Sequence, residues 1–538
     1  MKKQHTRKLL TKAIACVLAV GCLTACGGGS SASTASTGST ASSAESGGTA
    51  NAEINIGDYA DAANCASWMI RTGGDKSNWV YTIYEPLFTV DENGEVIPYL
   101  AESLTSDPDA LTYTVKLRDD VYFSDGSKLD ADALLWNFEN FKENGTTSST
   151  HFSSVDSFEK ISDSEVVIHM TEWNSQIPYS LCSAAGLMYS KKAFDDNGYD
   201  WCLKNPVGTG AYLLDEWITD DHKTFVYNEN YWNKSVTPGV TKITIKVVPD
   251  QTTAQAAMLS GDLDVFSGDY SFTKEMEAQG FPRISTQMWY FSDFLVFASG
   301  VESSPMSDVR VRQAISYAID SKTIKETINN DMSLLTNQYA IEGTPFYTDT
   351  VVGYDYDPEK AKELLTEAGY PDGFETTIYT GTDLNLTNQM IAIQGYLADV
   401  GITANLEYQD VSIWSSKTIY SIEDGMVFVS HGFGTNIVNQ AVSNFSQRAV
   451  DSVGMLKDSA LHPDDVNEAL LNALSAKDDA TMYDEFNEAQ RLIFDKYCLA
   501  YPVDSDAYSW MNVNDRFQDN GCFGTRTEYY NYTLLTVA

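Results

Sequence analysis

Histidines, nucleophiles and glycine-rich loops are the features of this chain that could carry out chemistry. The six histidines are far apart, and no two of them form an HExxH motif. The chain also contains no GxSxG elbow, no P-loop and no GxGxxG loop after a strand. We therefore predict no metal site, no cofactor and no catalytic residue. The histidines are His5, His151, His169, His222, His431 and His462.

Acidic residues leave one enzymatic alternative open. The chain has 75 Asp and Glu residues, which include close pairs such as Asp220 with Asp221 and Asp262 with Asp264. A glycosidase needs only two well-placed carboxylates, and sequence spacing does not give their distance in space. An exported hydrolase that uses a carboxylate pair is thus the alternative from another functional class. No second motif supports it, and we predict that the protein is not an enzyme.

The amino terminus has the pattern of an export signal. Five basic residues and no acids occupy the first twelve positions, and residues 13–25 are apolar apart from Thr24. This apolar run is shorter than the roughly 20 residues that a membrane-spanning helix needs. We predict a signal peptide over residues 1–25 and a protein that works outside the cytoplasm.

Cys26 lies where a thiol can carry lipid. The residues "LTAC" that end at Cys26 resemble a lipobox, the site at which bacterial lipoproteins are cleaved before a cysteine that is then lipidated. Cys22 is a weaker second candidate. Residues 26–50 are almost entirely Gly, Ser, Ala and Thr, which predicts a flexible linker with a reach of roughly 25 to 30 Å. Two acyl chains on Cys26 would anchor the protein stably to the outer face of the cell membrane.

Five further cysteines belong to the body of the chain, and this odd number leaves at least one thiol outside any disulfide. In an exported protein, the spacing of Cys182 with Cys202 and of Cys498 with Cys522 permits disulfides. No CxxC motif is present, so a zinc site built from cysteines is not expected. The fifth of these residues is Cys65.

Length and charge limit the partners. The chain has 538 residues, which predicts two or three lobes rather than one core. Its formal net charge is −40, and removal of the five basic residues of the signal lowers this charge to −45. A surface of this sign repels nucleic acid and anionic lipid. We expect a monomer with no nucleic-acid partner.

Local patterns predict a mixed α/β chain. Residues 111–123 alternate between apolar and polar side chains, which indicates a strand, and a helix is expected to begin at Asp130 or Asp132. The segment "NWVYTIYEPLFTV" is predicted to be helical. A strand over Ile243–Val248, a helix that begins near Asp250 or Thr252 and a second short strand favour a parallel pair.

Two further helices have clear start signals. One is expected to begin at Ser307 or Asp308 and to end near Asp320. The other has Asp357 as its cap, with a proline at its first position and a glycine at its end.

Several of these segments, in this order, resemble family 5 of the extracellular solute-binding proteins, the peptide- and nickel-binding group of bacterial ABC importers. The resemblance covers the chain from about Ile54 to the carboxyl terminus. It rests on the segments "LAESLTSDPDALTYTVKLRDDVYFSDGSKLDADALLWNF", "NPVGTGAYLLDEW", "YNENYWN", "ITIKVVPDQTTAQAAMLSGDLDVF", "SDVRVRQAISYAID", "YDPEKAKELLTEAGYPDGF" and "LADVGITANLE". We expect structural roles for signature residues such as Asp264, Arg310 and Arg312.

This resemblance implies a two-lobed fold of the periplasmic-binding-protein type, class II, with mixed α and β elements. Lobe one would comprise residues 51–297 and 499–538, with an inserted subdomain (the insert) at about residues 88–205. Lobe two would comprise residues 298–498. The chain would cross between the lobes near "FLVFASG" and "CLAYPVD", and ligand would be enclosed as the lobes close about this hinge.

Ligand should contact both lobes and the hinge, because only such contacts favour the closed state over the open one. The resemblance and the position of aromatic and polar residues give the candidate ligand-binding residues. They are Trp68, Trp289, Tyr290, Asp293, Trp414, His431, Phe433, Asn436, Tyr508 and Trp510.

One departure from the family bears on the ligand. In its peptide binders a loop resembling "ADYxDP" supplies an aspartate for the α-ammonium group of the ligand. Here the corresponding segment is "FVSHGFGTNIVN", with Ser430 and His431 at that point. Either another acid substitutes, with Asp293, Asp504 and Asp506 as candidates, or the ligand is not an ordinary free peptide.

The sequence thus predicts a lipid-anchored binding protein that captures a small solute and delivers it to an ABC permease. An oligopeptide or dipeptide is the first expectation for this solute. An oligosaccharide or a metal chelate is the alternative within the same role. A surface signalling or adhesion protein on the same fold is a further alternative.

Overall fold

Two large β-sheets organise the chain in the computed structural model. The structure describes residues 52–70, 78–91, 94–287, 291–381, 384–410, 413–414, 420–432, 436–448, 455–505, 508–522 and 531–537. The predicted signal peptide, Cys26 and the predicted linker lie outside these residues. Across the described ranges, no helix combines the length and the apolar character that a membrane crossing requires.

Sheet one has seven strands in the order β12-β18-β11-β1-β10-β9-β8. Strands β1, β10, β11 and β12 run in one direction and β18 runs against them. Strands β10 and β11 are parallel, as predicted, but they do not form a pair, because β1 lies between them. The strands are β1 (Glu53–Asp58), β8 (Tyr212–Ile218), β9 (His222–Tyr227), β10 (Lys242–Val247), β11 (Val265–Phe266), β12 (Arg283–Gln287) and β18 (Tyr508–Val513).

The insert leaves sheet one after β1 and returns before β8. Its four-stranded sheet has the order β4-β5-β7-β6 and is antiparallel throughout. A two-stranded ribbon, β2 with β3, precedes it. The strands are β2 (Phe88–Val90), β3 (Val96–Pro98), β4 (Ala101–Asp107), β5 (Thr112–Leu117), β6 (Val155–Lys160) and β7 (Glu165–Met170).

Sheet two has five strands in the order β15-β14-β16-β13-β17. Strands β14, β15, β16 and β17 run in one direction, and β13 runs against them. The strands are β13 (Phe291–Phe297), β14 (Phe374–Gly381), β15 (Ile402–Gln409), β16 (Met426–Gly432) and β17 (Ala500–Asp504). A last pair, β19 (Phe517–Gln518) and β20 (Thr536–Val537), lies near the carboxyl terminus.

Helices cover both faces of sheet two. Leu295 and Phe297 of β13 pack with residues of α8, α10 and α11 defined below, whereas Phe294 and Val296 belong to the core that includes α12, α13 and α14. The helices are α1 (Ala131–Asn144), α2 (Ser148–His151), α3 (Ile177–Ser180), α4 (Lys191–Asn197), α5 (Tyr199–Cys202), α6 (Gln251–Ser260), α7 (Tyr270–Ala278), α8 (Val309–Ala318), α9 (Ser321–Thr323), α10 (Pro358–Glu367), α11 (Leu384–Asp399), α12 (Ile437–Phe445), α13 (Asp464–Ser475) and α14 (Asp479–Arg491).

Short helical turns complete the elements. Residues Ile324–Ile328 and Leu492–Lys496 form π-helical turns, and Asn78–Thr82 form a 3₁₀ turn. The predicted helix over "NWVYTIYEPLFTV" is wrong, because after this turn the chain extends into β2. Pro86 lies between the two elements and lacks the backbone N–H that a continuing helix would need.

The chain crosses between the sheets along one two-stranded ribbon, which we call the hinge ribbon. Its first strand is β12 followed by β13, and its second strand is β17 followed by β18. The two strands are paired in both sheets, Gln287 with Tyr508 in sheet one and Asp293 with Asp504 in sheet two. The hinge ribbon therefore joins lobe one, which carries sheet one, to lobe two, which carries sheet two.

The sheet boundaries differ from the predicted crossings. Both "FLVF" and "AYPVD" are strands within sheet two, so the chain changes sheets between Gln287 and Phe291 and between Asp504 and Tyr508. The predicted boundaries at residues 297 and 499 place these strands in lobe one. Residues 294–297 of β13 pack into a core on each face of sheet two, so their sequence is a continuous apolar run. Such a run lacks the alternation of apolar and polar residues that indicates a strand.

Two signature residues have structural partners. Arg312 is 1% exposed and donates to backbone carbonyls of Met306, Tyr497 and Cys498, which ties α8 to the start of β17. Asp264 accepts from the guanidinium of Arg516 and from the backbone N–H of Asn55.

All five cysteines of the described body are buried, and no disulfide joins any of them. Cys498 lies beside Ser316 in a core of lobe two. Cys522 belongs to a different core, which includes the apolar residues of lobe one. Cys65 instead contacts the backbone carbonyl oxygens of Cys202 and Leu203. Burial raises the pKa of the Cys65 thiol far above its ordinary value. The two disulfides that the spacing permits are therefore absent.

We expect these thiols to resist modification in the folded protein, because a buried thiol with a raised pKa is rarely the reactive thiolate. A chain that begins at residue 51 should release less than one equivalent of chromophore with Ellman's reagent under native conditions. In denaturant without reductant it should release five equivalents, one for each cysteine. A denatured value of three or one would instead indicate one or two disulfides.

Candidate functional site

The strand ends of lobe two meet at one edge of sheet two. This edge contains the carboxyl ends of β14, β15, β16 and β17 and the amino end of β13. In open α/β sheets, ligands bind in the crevice outside the carboxyl ends of parallel strands. The edge is therefore the part of lobe two where a ligand is expected.

Lobe one presents a matching edge. The carboxyl ends of β1, β10, β11 and β12 and the amino end of β18 lie together in sheet one. Because β12 leads directly into β13 and β17 leads into β18, the two edges meet at the hinge ribbon. The crevice between them is the candidate ligand-binding site.

The structure brings most of the predicted ligand-binding residues to these edges. Asp293 is the third residue of β13, and His431 is the last but one residue of β16. Trp414 follows β15, and Asn436 follows β16. Tyr508 and Trp510 are residues of β18. Trp289, Tyr290 and Phe433 lie outside the described residues.

Trp68 has a different position. Its ring is 1% exposed and contacts the rings of Trp136, Tyr189 and Phe194 at centroid distances of 6.1, 5.2 and 6.0 Å. These residues of the insert form an aromatic core around Trp68. That packing accounts for its burial, and contact of Trp68 with ligand stays a prediction.

Trp414 covers the end of β14. A Cβ atom placed on Gly381 would lie 3.6 Å from the indole ring, which is ordinary van der Waals contact. The indole Nε1 is buried and donates to no acceptor in the described part of the chain. The edge of lobe two therefore offers a hydrogen-bond donor beside an aromatic face.

Asn436 connects lobe two to the insert. It occupies the N-cap position of α12 but makes no capping hydrogen bond. Its Nδ2 atom instead lies 3.4 Å from His151 Nδ1 and 3.2 Å from Ser180 Oγ, both in the insert. A capping Asn contributes about 1 kcal/mol to a helix. This side chain contacts the insert in place of that local interaction.

Further contacts join the insert to lobe two. The indole of Trp173 donates to the carbonyl oxygen of Ala476 at 2.8 Å. The backbone N–H of Ser175 donates to the carbonyl oxygen of Leu474, also at 2.8 Å. Arg448 forms a two-pronged ion pair with Glu172. These contacts hold the insert against lobe two.

His151 is one of the site residues that sequence reasoning missed. The six histidines gave no signal, because the partner Asn436 is 285 positions away. His151 is 1% exposed, and burial lowers its pKa from 6.5 to about 4. A neutral ring that accepts at Nδ1 carries its proton on Nε2, and this atom has no acceptor among the described residues.

Two buried acids lie at the hinge end of the crevice. Asp293 is contacted by Gln389 of α11, and Asp504 is contacted by Asn329, which follows the first π-helical turn. Neither amide was predicted as a site residue. Their positions in the sequence carry no motif, so only the pairing of β13 with β17 reveals them.

Neither a metal site nor the cavity in lobe two involves the predicted ligand-binding residues. Within the described ranges, no three His, Cys, Asp or Glu side chains are placed to hold a metal ion together. A cavity of about 560 Å³ lies beside β17 and is lined by residues of lobe two alone, including Tyr354 and Tyr501. None of the predicted ligand-binding residues lines this cavity.

The contact between Asn436 and His151 should weaken as the pH falls. His151 must be neutral to accept from Asn436, whereas a state in which the insert and lobe two separate returns its pKa toward 6.5. The contact therefore has its full stability above pH 6.5. This stability is lost progressively as the pH falls from 6.5 to about 4. The full effect is at most about 3 kcal/mol.

Hydrogen exchange of the Ser175 N–H, which bonds Leu474 across the same contact, measures this effect. Its protection should fall between pH 7 and pH 5, and His151→Gln should remove most of this change. His169→Gln is the matched control, because His169 is on the insert surface and pairs with Glu159. An unchanged pH dependence in His151→Gln would contradict the prediction.

Two curated proteins are similar to this chain in sequence. The Nickel-binding periplasmic protein of Escherichia coli K12 is 28% identical over 312 residues, which cover 57% of this chain and 58% of that protein. The glutathione-binding protein GsiB of Salmonella paratyphi A is 30% identical over 352 residues, covering 61% of this chain and 64% of GsiB. The chain thus matches less than two thirds of the length of each of these relatives.

A solved structure shares the fold over a longer range. The ABC transporter-associated periplasmic binding protein DppA from Helicobacter pylori, in complex with the peptide STSA, superposes with a TM-score of 0.76. It covers 90% of this chain and 98% of its own at 21% identity. The family model "Bacterial extracellular solute-binding proteins, family 5 Middle" matches residues 95–449, more than half of the chain. The chain therefore belongs to family 5 of the bacterial extracellular solute-binding proteins.

Proposed function

We propose that this protein captures a small solute between its two lobes and delivers it to an ABC permease, without catalysing a reaction. The hinge ribbon is the observation that carries this proposal. It joins two sheets whose strand ends face one crevice, so that bending at the short connections would open or close the crevice. The insert also contacts lobe two through Trp173 and through the ion pair of Glu172 with Arg448, which supports a closed arrangement of the lobes.

An oligopeptide or dipeptide is the solute that we propose first. The similar DppA structure holds a peptide, and GsiB is named for glutathione, which is itself a peptide. The strand ends also offer the groups that an extended peptide needs, namely an indole donor at Trp414 and buried acids at the hinge. A metal chelate is the second candidate, because another relative is named for nickel.

Ligand binding can be tested with a chain that begins at residue 51. A defined library of di- to pentapeptides, a set of oligosaccharides and nickel–histidine complexes would be screened by thermal shift. A ligand that binds only the folded state stabilises it by about 2.7 kcal/mol at 100 times its Kd. We expect shifts with peptides, and small-angle scattering should show a smaller radius of gyration with the same peptides.

The screen has outcomes that contradict each part of the proposal. Shifts with a sugar or a nickel complex but with no peptide would make the peptide assignment wrong. Unchanged peptide uptake in a strain that lacks the protein would make the transport role wrong, and would favour signalling or adhesion instead. Release of a cleaved product from a bound peptide or sugar would support the hydrolase alternative.

We also propose that lipid on Cys26 anchors the mature protein, as a monomer, to the outer face of the cell membrane. The lipobox-like residues before Cys26 and the Gly- and Ser-rich residues after it support this proposal. The linker would hold the receptor near its permease while leaving the lobes free to bend.

Replacement of the anchoring thiol tests this assignment. Cys26→Ser should move the protein from the membrane fraction to the soluble extracytoplasmic fraction, because the acyl chains have no attachment point. Cys22→Ser is the matched control and should leave the protein in the membrane fraction. The opposite result for the two variants would assign the lipid to Cys22.

A further inference from the structure

The cavity in lobe two lies beside the beginning of β17. Its volume of about 560 Å³ is within the range of small-molecule sites, and Ala500, Tyr501 and Pro502 contribute to its lining. These are the first three residues of β17, whereas the crevice lies at the other end of this strand, beyond Asp504. A ligand in the cavity would therefore be separate from a solute held between the lobes.

Aromatic residues make up much of the lining of this cavity. The ring of Tyr354 packs edge-to-face on the ring of Tyr317 at a centroid distance of 5.1 Å, and its hydroxyl donates to the carbonyl oxygen of Asp495 at 2.8 Å. The hydroxyl of Tyr501 shares a hydrogen bond with that of Ser321. Contacts outside the cavity therefore hold these rings in place. The aromatic lining residues are Tyr347, Tyr354, Tyr356, Phe494 and Tyr501.

A loop at the rim of the cavity holds an apolar residue in water. The backbone N–H groups of Val352 and Gly353 donate to the two carboxylate oxygens of Asp495 at 2.8 and 2.9 Å. Val352 is nonetheless 82% exposed, and Leu335, another lining residue, is 51% exposed. The loop is thus fixed by hydrogen bonds while its apolar residue is available for contact. Exposed apolar residues around a cavity favour a ligand with an apolar part.

Two π-helical turns adjoin the cavity. The first turn, Ile324–Ile328, begins shortly after the lining residues Ser321 and Lys322. The second turn, Leu492–Lys496, contains the lining residue Phe494. Such turns are rare and frequently occur at functional sites. Their occurrence beside one cavity favours a binding role over incomplete packing.

Acidic residues give the cavity a negative potential. The ammonium group of the lining residue Lys322 lies 3.9 Å from a carboxylate oxygen of Glu326, which offsets part of its positive charge. Burial and the nearby carboxylates of Asp349 and Glu342 raise the pKa of Tyr347. A negative field therefore reaches the aromatic lining. The acidic lining residues are Asp320, Glu342 and Asp355.

We propose that the cavity in lobe two is a second binding site, which takes a small organic cation of the arylalkylamine type. Aromatic rings attract a cation that lies near their faces, and carboxylates add to this attraction. The apolar part of the amine would contact Ile319 and Ile341, which also line the cavity. This site goes beyond the proposed capture of a solute between the lobes and does not depend on it.

Other classes of ligand fit the lining less well. An anion would be repelled by the acidic residues, and a neutral apolar molecule would make no use of them. Within the described part of the chain, no three His, Cys, Asp or Glu side chains are placed to hold a metal ion together. An organic cation is the class that uses both the rings and the acids.

Isoleucine methyl groups can report on this cavity separately from the crevice. A chain that begins at residue 51, with isotope-labelled isoleucine methyl groups, would be titrated with phenethylamine and followed by NMR. Ile319 and Ile341 line the cavity, whereas Ile437 follows Asn436 at the crevice. We expect the amine to shift the signals of Ile319 and Ile341 and to leave that of Ile437 unchanged.

Matched probes test the charge of the ligand. Phenethyl alcohol has the same ring and chain as the amine but no charge, and phenylpropionate has a negative charge. We expect the alcohol to bind about fivefold more weakly or less tightly still, because it lacks the attraction between a cation and the aromatic rings. Phenylpropionate should leave the signals of Ile319 and Ile341 unchanged.

Variants at exposed positions test the lining without disturbing the fold. Glu342→Gln and Asp355→Asn should each weaken binding of the amine and leave binding of the alcohol unchanged. Tyr356→Leu should weaken the amine as well, because a ring of the lining is lost. Asp372→Asn and Tyr408→Leu are the matched controls, since both residues are exposed in lobe two and lie outside the lining. Tyr356 and Tyr408 are 44% and 40% exposed.

The outcomes separate this inference from the proposed function. Equal affinity for the amine and the alcohol, or undiminished amine binding in both charge variants, would overturn the assignment to a cation. A shift of Ile437 without shifts of Ile319 and Ile341 would place the amine in the crevice and overturn the second site. Each of these results would leave the thermal-shift test of peptide capture unaffected.

Discussion

Antiparallel pairing along the hinge ribbon is the constraint on which the rest of the structure depends. Its two strands are more than 200 residues apart in the chain, yet they pair on both sides of the crossing, Gln287 with Tyr508 and Asp293 with Asp504. Each lobe is therefore fixed to the ribbon by backbone hydrogen bonds. The same pairing brings the strand ends of both sheets together. The hinge ribbon therefore lies next to the candidate ligand-binding site.

Several polar groups near the strand ends of lobe two lack hydrogen bonds that would stabilise the fold. Asn436 leaves the start of α12 uncapped, and the indole Nε1 of Trp414 and the Nε2 of His151 are buried without a partner among the described residues. Buried polar groups are normally hydrogen-bonded, and each exception costs free energy. Buried Arg312, by contrast, makes several hydrogen bonds to backbone carbonyls. Buried polar atoms without a partner among the described residues also occur away from the crevice, such as Trp79 Nε1, so this feature does not by itself mark the ligand site.

Local chemistry was predictable from the sequence, and long-range pairing was not. Asp130, Asp250, Asp308 and Asp357 each accept a hydrogen bond from a backbone N–H in the first turn of their helix. Such a cap involves only residues two or three positions apart, so the local sequence predicts it. The mixed α/β, two-lobed fold that the family resemblance implied is confirmed. The crossings were placed some residues too far into lobe two, since the apolar run of β13 does not show that its partners are β16 and β17. The acids Asp293 and Asp504 were named singly, but their opposition across the hinge ribbon follows only from that pairing.

The contacts between the insert and lobe two include ion pairs on the surface. The side chains of Arg448 and Glu172 are 42% and 48% exposed, and those of Lys477 and Asp109 are 58% and 90% exposed. Exposed ion pairs of this type contribute about 0–1 kcal/mol each. A ligand can shift the balance between open and closed states only by the difference in its affinity for the two states. These ion pairs are the weaker part of the contact between the insert and lobe two. Trp173 and Asn436 make buried hydrogen bonds across it, and one apolar core contains residues from both sides.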